Sequence, residues 1–385
     1  MPSAVRTEMQ PNPLAPALSR AREHVAELEA LVPKGEPWQG YRQFRVVEII
    51  DDADRQRSFS LEPVDGKEIA GFKPGQYLMF RVNIDGTEYV RCYSLSDAQR
   101  PDRYQVTVKD AYANDEIRSV SHYFHGLTAG AVLDVSAPKG QFVFDLHDPT
   151  PAVLLAGGVG VTPLLAMVKE VARTGSQREI HLYYGAATPR DFVRPDELRA
   201  IAAEYPNIKV HLICSRPDGF AAGVDFDHQG RISLDLLKQT LPKQRYEFYM
   251  CGPAGMMSSL TTGLQQHGVS ARDIHSEAFA AAPSVVLSKR ENAMGVANVQ
   301  PVQVYFARTG GSLEWDPSSK TLLDVANSKG KKIESGCKAG SCGMCCVDLK
   351  SGSVEYPSGS QLDPGAGKIL PCIAVPKSDR LELDV

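Results

Sequence analysis

The chain has 385 residues, 43% of them hydrophobic and 23% charged, with a formal net charge of −4 at pH 7. That length exceeds one ordinary domain and suits two or three, each able to bury its own core. So slight a charge excludes a general attraction to nucleic acid or anionic lipid, and no stretch offers the ~20 apolar residues that a spanning helix needs. The longest apolar run, Ala152 to Val168, is broken by Gly157, Gly158, Gly160 and Pro163. The amino terminus has no apolar core of signal-peptide length. Five of the eight cysteines fall in the last fifty residues, which suits a local metal site in a reducing compartment better than a disulfide framework. A cytoplasmic protein with neither membrane nor nucleic acid as a partner is the expectation.

Residues 1–40 form an N-terminal extension in which Leu18, Ala21, Val25, Leu28 and Val32 recur at three- and four-residue steps. That stripe predicts one helix, docked on its own protein or, as the alternative, on a partner. Across 41–147 the pattern becomes period-two, with Asp85-Gly86 as a hairpin signal, and predicts an antiparallel β-barrel. Over 148–280 short apolar strands alternate with amphipathic helices, as in VLLAGG then PLLAMVKEV and EFYMCG then GMMSSLTTGLQQHG. That alternation predicts a doubly wound parallel α/β sheet. Residues 281–299 show neither period and are read as a linker. In 300–385 the segments QVYFART and SLEWD flank Gly310-Gly311, a helix is expected from about Leu322 to Ser328, and a loop dense in Gly and Cys precedes further strands. This last unit is small and α+β.

Cys337, Cys342 and Cys345 have the C-x4-C-x2-C spacing of plant-type 2Fe–2S clusters, and Cys372 supplies a distant fourth thiolate. Three thiolates within nine residues converge on one cluster only if the backbone curls around it, and Gly336, Gly340 and Gly343 permit such turns. Zinc sites favour paired Cys-x2-4-Cys knuckles, and structural cysteines do not need the glycines, so iron–sulfur is the preferred reading. Cys346, beside a ligand, is taken as structural. The segment resembles the plant-type ferredoxin family, which implies a β-grasp fold. Members of that family are usually strongly acidic, whereas acids and bases here nearly cancel and Lys338 lies inside the loop. That departure suits a cluster fed from its own chain.

Arg91-Cys92-Tyr93-Ser94 closes a barrel strand and offers a cation for phosphate, an aromatic face and a hydroxyl, the groups a flavin requires. Alone, the run equally describes an ordinary cross-strand Arg/Tyr pair. Lys73-Pro74-Gly75-Gln76-Tyr77 precedes it, and Ser121 follows where a helix can begin, with Ser121 as its expected cap. With these pieces in order, 41–282 resembles the ferredoxin–NADP reductase superfamily, and especially the reductase half of flavohaemoglobins. The resemblance implies FAD rather than FMN, with Tyr77, Arg91, Tyr93, Ser94 and Ser121 as flavin-binding residues. It also implies that Glu277 and Phe279, in His275-Ser276-Glu277-Ala278-Phe279, approach the isoalloxazine; Phe279 as a core residue at a strand end is the alternative. The family's usual Gly three residues before the pyrophosphate serine is Arg118 here, a departure in that loop.

Gly157-Gly158-Val159-Gly160-Val161-Thr162-Pro163 follows an apolar strand and opens a helix, where Gly158 and Gly160 let a pyrophosphate approach the backbone. Cys251-Gly252-Pro253 again lies between strand and helix, at the carboxyl end of the sheet. The resemblance places Cys251 and Thr162 near the hydride path, with Gly252 and Pro253 against the nucleotide; a buried structural thiol is the bland reading of Cys251. Arg190, Arg194 and Arg216 lie near strand ends where a 2′-phosphate would need cations, but NADH is expected over NADPH.

A hydride carries two electrons and a 2Fe–2S cluster accepts one, so a flavin must stand between them. Flavin, nucleotide and ferredoxin domains in this order resemble oxygenase reductase components such as phthalate dioxygenase reductase and phenylacetyl-CoA epoxidase reductase. The function expected is NADH-dependent reduction of a multicomponent, Rieske-type oxygenase. Alternatives are another one-electron acceptor, for instance a hybrid-cluster protein, and a redox-sensing module.

Overall fold

A computed structural model describes residues 32–110, 120–277, 279, 302–315, 321–333, 335, 340, 343–356 and 364–385. The expected N-terminal helix and the 281–299 linker lie outside these residues. Period-two apolar patterning draws the first six strands into one antiparallel sheet: β1 (Arg42–Ala53), β2 (Gln56–Pro63), β3 (Tyr77–Ile84), β4 (Thr87–Ser94), β5 (Tyr104–Lys109) and β6 (Val132–Val135). Their order is β4-β3-β6-β1-β2-β5. A backbone bridge between Leu95 and Val106 joins the two edges and closes the barrel. Asp85 and Gly86 turn the β3–β4 hairpin with φ of 51° and 81°, the left-handed pair that matches strand twist.

Helix α1 (Val120–His125) plugs the barrel with Phe124, edge-on to Phe59 at 5.4 Å and Phe80 at 5.1 Å between ring centroids. This corrects one expectation. Ser121 does not cap the helix but lies inside it, after Val120, which is already helical and buried in the barrel core.

The second sheet is built from β7 (Ala152–Gly157), β8 (Ile180–Ala186), β9 (Ile208–Cys214), β10 (His228–Gln229), β11 (Glu247–Cys251) and β12 (Ile274–Glu277). Helices α2 (Val161–Thr174), α3 (Pro195–Glu204), α4 (Leu234–Thr240) and α5 (Ala254–Gln266) alternate with them. All strands are parallel, in the order β10-β9-β8-β7-β11-β12. Val153 to Ala156 are fully buried, as a central strand covered on both faces requires. One face packs on Leu154, Leu164 and Leu182, the other on Val153, Leu155 and Ile213. Strand order reverses between β7 and β11, and the crevice at that reversal is where open α/β sheets take ligands. Phe142 and Phe144, on the flavin side of the expected boundary at 147, have their side chains in the core of this sheet.

The edge of this sheet carries a histidine pair. His211 of β9 stacks on Tyr183 at 4.5 Å, and His228 Nε2 lies 3.4 Å from His211 Nδ1. Burial first, then the neighbouring His228 and His181, push His211 down to about 4, against a smaller opposing pull from Asp227. The unfolded chain therefore binds more protons than the folded one between His211's folded value of about 4 and its ordinary 6.5. The resulting stability is complete above that window and is lost as pH falls through it. Acidification is expected to remove about 1–2 kcal/mol at this site, once solvent screening of a partly exposed ring is allowed for. His211→Phe should flatten that part of the profile, which urea midpoints at about pH 7 and about pH 4.5 would measure.

The third unit is a five-stranded mixed sheet, β14-β13-β19-β15-β17, with β13 (Val302–Phe306) parallel to β19 (Arg380–Leu383) at its centre. Its partners are β14 (Ser312–Trp315), β15 (Val347–Ser351) and β17 (Lys368–Ile369), while β16 (Val354–Glu355) and β18 (Val375–Pro376) form a separate ladder. Helix α6 (Leu322–Ser328) starts where Thr321 accepts a hydrogen bond from the Asp324 amide, and packs Leu322 and Leu323 beside Trp315. This is the α+β β-grasp arrangement.

Candidate functional site

Tyr93, next to last in β4, has its ring between Phe80 at 5.7 Å and Phe124 at 4.9 Å, and burial holds its phenol well above the usual range. Arg91, two residues earlier, donates from Nη1 to the Val90 carbonyl at 2.8 Å and forms no ion pair with a described residue. A part-buried cation in that state fits a phosphate. Ser94 is buried, opposite Tyr77 in the β3–β4 register, and its Oγ donates to Glu277 Oε2 across 3.4 Å. The Tyr77 ring packs against Gly140, where an added Cβ would come within 2.9 Å of it. In the Pro-Gly-Gln turn a Cβ on Gly75 would stand 2.1 Å from the Phe142 carbonyl oxygen, so only glycine serves there. Phe279 is 42% exposed, which sets aside the reading of it as a core residue.

The glycine turn after β7 and the Cys-Gly-Pro turn after β11 meet at the strand-order reversal. A Cβ on Gly160 would lie 2.2 Å from the Cys251 carbonyl oxygen, and one on Gly252 would lie 2.9 Å from Gly157 Cα. Pro253 closes the same contact, 2.6 Å from a Cβ built on Gly157. Gly158 has φ of 55° and nothing near its missing side chain, so its backbone faces open space. Thr162, second residue of α2, is buried and donates from Oγ1 to the Val159 carbonyl at 3.1 Å. Cys251 is fully buried, in register with Ala156 on one side and Glu277 on the other. Burial, then the Glu277 carboxylate, push its thiol well up, so Cys251 is a neutral thiol at neutral pH. Backbone amides on a glycine turn beside a neutral sulfur and a buried carboxylate fit a pyrophosphate and a nicotinamide, and supply no acid–base dyad.

In the β-grasp unit Cys345 and Cys372, 2% and 3% exposed, bring their Sγ atoms to 3.2 Å. That exceeds a disulfide bond by more than an ångström and suits two thiolates on one metal centre. Gly340 and Gly343 take φ of 72° and 70°, the turns that the loop requires. Cys337 and Cys342 lie outside the described residues. Cys346 turns its side chain away, against the core, with Sγ 3.9 Å from the Pro364 carbonyl. The donor set fits a 2Fe–2S cluster.

Some residues that join the first two units carried no signal in the sequence. Arg194, one of three arginines considered for a 2′-phosphate, instead donates from Nε to Asp52 of β1 at 2.8 Å. Lys169 of α2 bridges Asp97 and Glu197. These are ordinary surface residue types, far apart in the chain, and only the folded structure brings them together.

Comparison with known proteins gives three family matches: an oxidoreductase FAD-binding domain over residues 44–144, an oxidoreductase NAD-binding domain over 154–262, and a 2Fe-2S iron-sulfur cluster binding domain over 305–377. A Bacillus cereus flavohemoprotein is 34% identical over 253 residues, covering 64% of this chain and 63% of its own length. A Deinococcus radiodurans flavohemoprotein is 36% identical over 252 residues, with 64% and 61% covered. The chain thus spans under two thirds of these relatives. Among solved structures, phthalate dioxygenase reductase matches 90% of this chain and 98% of its own at 26% identity, with a TM-score of 0.58. The FAD/NAD-binding domain of a Vibrio cholerae nitric oxide dioxygenase matches 63% of this chain and 99% of its own at 28% identity, with a TM-score of 0.57. No helix among the described residues is long and apolar enough to cross a membrane.

Proposed function

Since the chain belongs to the ferredoxin–NADP reductase superfamily and carries a 2Fe–2S domain behind its flavin and nucleotide domains, we propose that it is the NADH-dependent reductase component of a multicomponent, Rieske-type oxygenase. When bound, FAD would supply acceptance of a hydride's two electrons and a 2Fe–2S cluster would supply one-electron transfer toward an acceptor protein. The observation that carries the reading is the meeting of Ser94, Cys251, Glu277 and the Gly157–Gly160 turn at one point of the fold. There the chain's own residues do positional work. The glycine turn admits the nucleotide's pyrophosphate to its amides, and Arg91 holds the flavin phosphates. The neutral Cys251 thiol packs without introducing a charge. Glu277, anchored by Ser94, sets the polar edge of the pocket. Tyr77 and Tyr93 supply aromatic faces for the flavin, while Phe279 is exposed and free to cover it. Cys337, Cys342, Cys345 and Cys372 hold the cluster.

NADH is favoured over NADPH by the flavohemoprotein likeness and because Arg194 is already engaged by Asp52. The oxygenase acceptor is supported by the matching extent and likeness of phthalate dioxygenase reductase. Anaerobic NADH added to the purified, cofactor-loaded chain is expected to bleach both flavin and cluster absorbance within the mixing time of a manual assay. An unresponsive spectrum would overturn the reductase and leave the redox-sensing reading.

A further inference from the structure

The contact between the barrel and the nucleotide sheet includes a closed circuit of charges. Asp97, three residues beyond Ser94, accepts from Lys169 Nζ at 2.5 Å, and the same ammonium reaches Glu197 at 2.6 Å. Glu197 pairs with Arg194 at 3.4 Å, and Arg194 returns to the barrel at Asp52, whose other oxygen accepts from Ser58. Asp97, Lys169 and Asp52 have side chains 6%, 9% and 2% exposed, so the Asp97–Lys169 and Arg194–Asp52 pairs are shielded from water, while Glu197 between them is 36% exposed. Burial raises the Asp97 carboxyl, and the Lys169 ammonium outweighs it, holding the group below the usual carboxylate range. Further polar bonds cross alongside: the Gln56 side chain donates to the Asp191 carbonyl, and the Gln99 amide donates to Glu170. Directional, desolvated bonds of this kind fix one orientation where an apolar contact would tolerate sliding.

Resting on the reductase reading above, we infer that Lys169 is a positioning residue: bridging Asp97 to Glu197, it sets the approach of the nicotinamide to the flavin. Both ends of the strut belong to elements that carry proposed binding residues. Asp97 continues the strand that carries Arg91, Tyr93 and Ser94, and Lys169 lies nine residues, about 14 Å, along the helix that Gly160 opens. Hydride transfer needs its reacting atoms roughly 3–3.5 Å apart, and a displacement of about 1 Å can cost on the order of 100-fold.

The test is rapid anaerobic mixing of the full, FAD-loaded chain with increasing NADH. Lys169→Met is expected to lower the limiting rate of flavin reduction at least about tenfold and to leave the half-saturating NADH concentration within about twofold of wild type. Lys169→Arg should recover most of that rate. If Lys169→Met does not fold, the Asp97→Asn, Lys169→Met pair, which removes both buried charges, carries the same expectation. A smaller loss of limiting rate in the folded variant overturns the inference, as does a loss confined to NADH affinity, or an arginine variant no faster than the methionine one. A wild-type flavin that NADH fails to reduce overturns the reductase reading together with it, so the two failures are distinguishable.

Discussion

Cys372→Ser is expected to abolish electron delivery to a one-electron protein acceptor while leaving NADH reduction of the flavin intact. The Cys372 sulfur lies 3.2 Å from that of Cys345, and both are almost fully buried. The position is fixed by the turn after β17, in which the amides of Ile373 and Ala374 both donate to the Leu370 carbonyl. A serine there keeps the shape but offers a hydroxyl that stays protonated at neutral pH and is a poor ligand for iron–sulfur centres. Loss of a ligand should exceed the ~10–100-fold that removing an outer-shell partner costs a metal site. Anaerobic cytochrome c reduction measures delivery, and rapid-mixing absorbance measures the flavin. Cys346→Ser is the control: its sulfur points to Pro364 and the core, so delivery should persist. Equal cytochrome c rates in Cys372→Ser and wild type would contradict the proposed ligand set and the order of carriers.

What the sequence revealed and what it concealed divide along a physical line. The β3–β4 hairpin was legible because Asp85-Gly86 states its own backbone geometry, and β7 because a strand covered on both faces must be apolar throughout. Helix α6 was legible in place and approximate length, and the structure shows Thr321 capping it locally. Ser121 misled because Val120 before it is already helical where it packs into the barrel core, a tertiary fact that outweighs a capping preference. Strand β10 escaped because His228–Gln229 is only two residues and pairs with β9 from beyond a long turn, leaving no periodicity to read. The bridge through Asp52, Arg194, Glu197, Lys169 and Asp97 escaped for a stronger reason. Each is a residue type that usually faces water, and their partnership exists only after two domains meet. Catalytic motifs are local because backbone turns make them; the contacts that align two motifs are not.

Gly160→Ala is expected to cost both stability and nucleotide affinity. The added Cβ would meet the Cys251 carbonyl oxygen at 2.2 Å, its carbon at 2.5 Å and the Gly252 nitrogen at 2.8 Å. All three are backbone atoms, so no side chain can rotate away, and the carboxyl ends of β7 and β11 must part. Those ends are tied in register, Cys251 to Ala156 and to Glu277, so the displacement strains the strand pairs that frame the proposed nicotinamide pocket. Overpacking a close-fitted interior costs about 1–3 kcal/mol, and backbone on both sides puts this site at the upper end. Gly158→Ala should be milder, because nothing lies within 4 Å of its Cβ and the cost there is only that of a left-handed residue, about 1–2 kcal/mol. Urea unfolding at unchanged slope measures the stability loss, and NADH titration of the rate of flavin bleaching measures affinity, which for Gly160→Ala should weaken at least about tenfold. If Gly158→Ala proved the more damaging substitution, the two turns would part without strain, and the approach of a ligand to the open backbone at Gly158 would be the constraint that demands glycine.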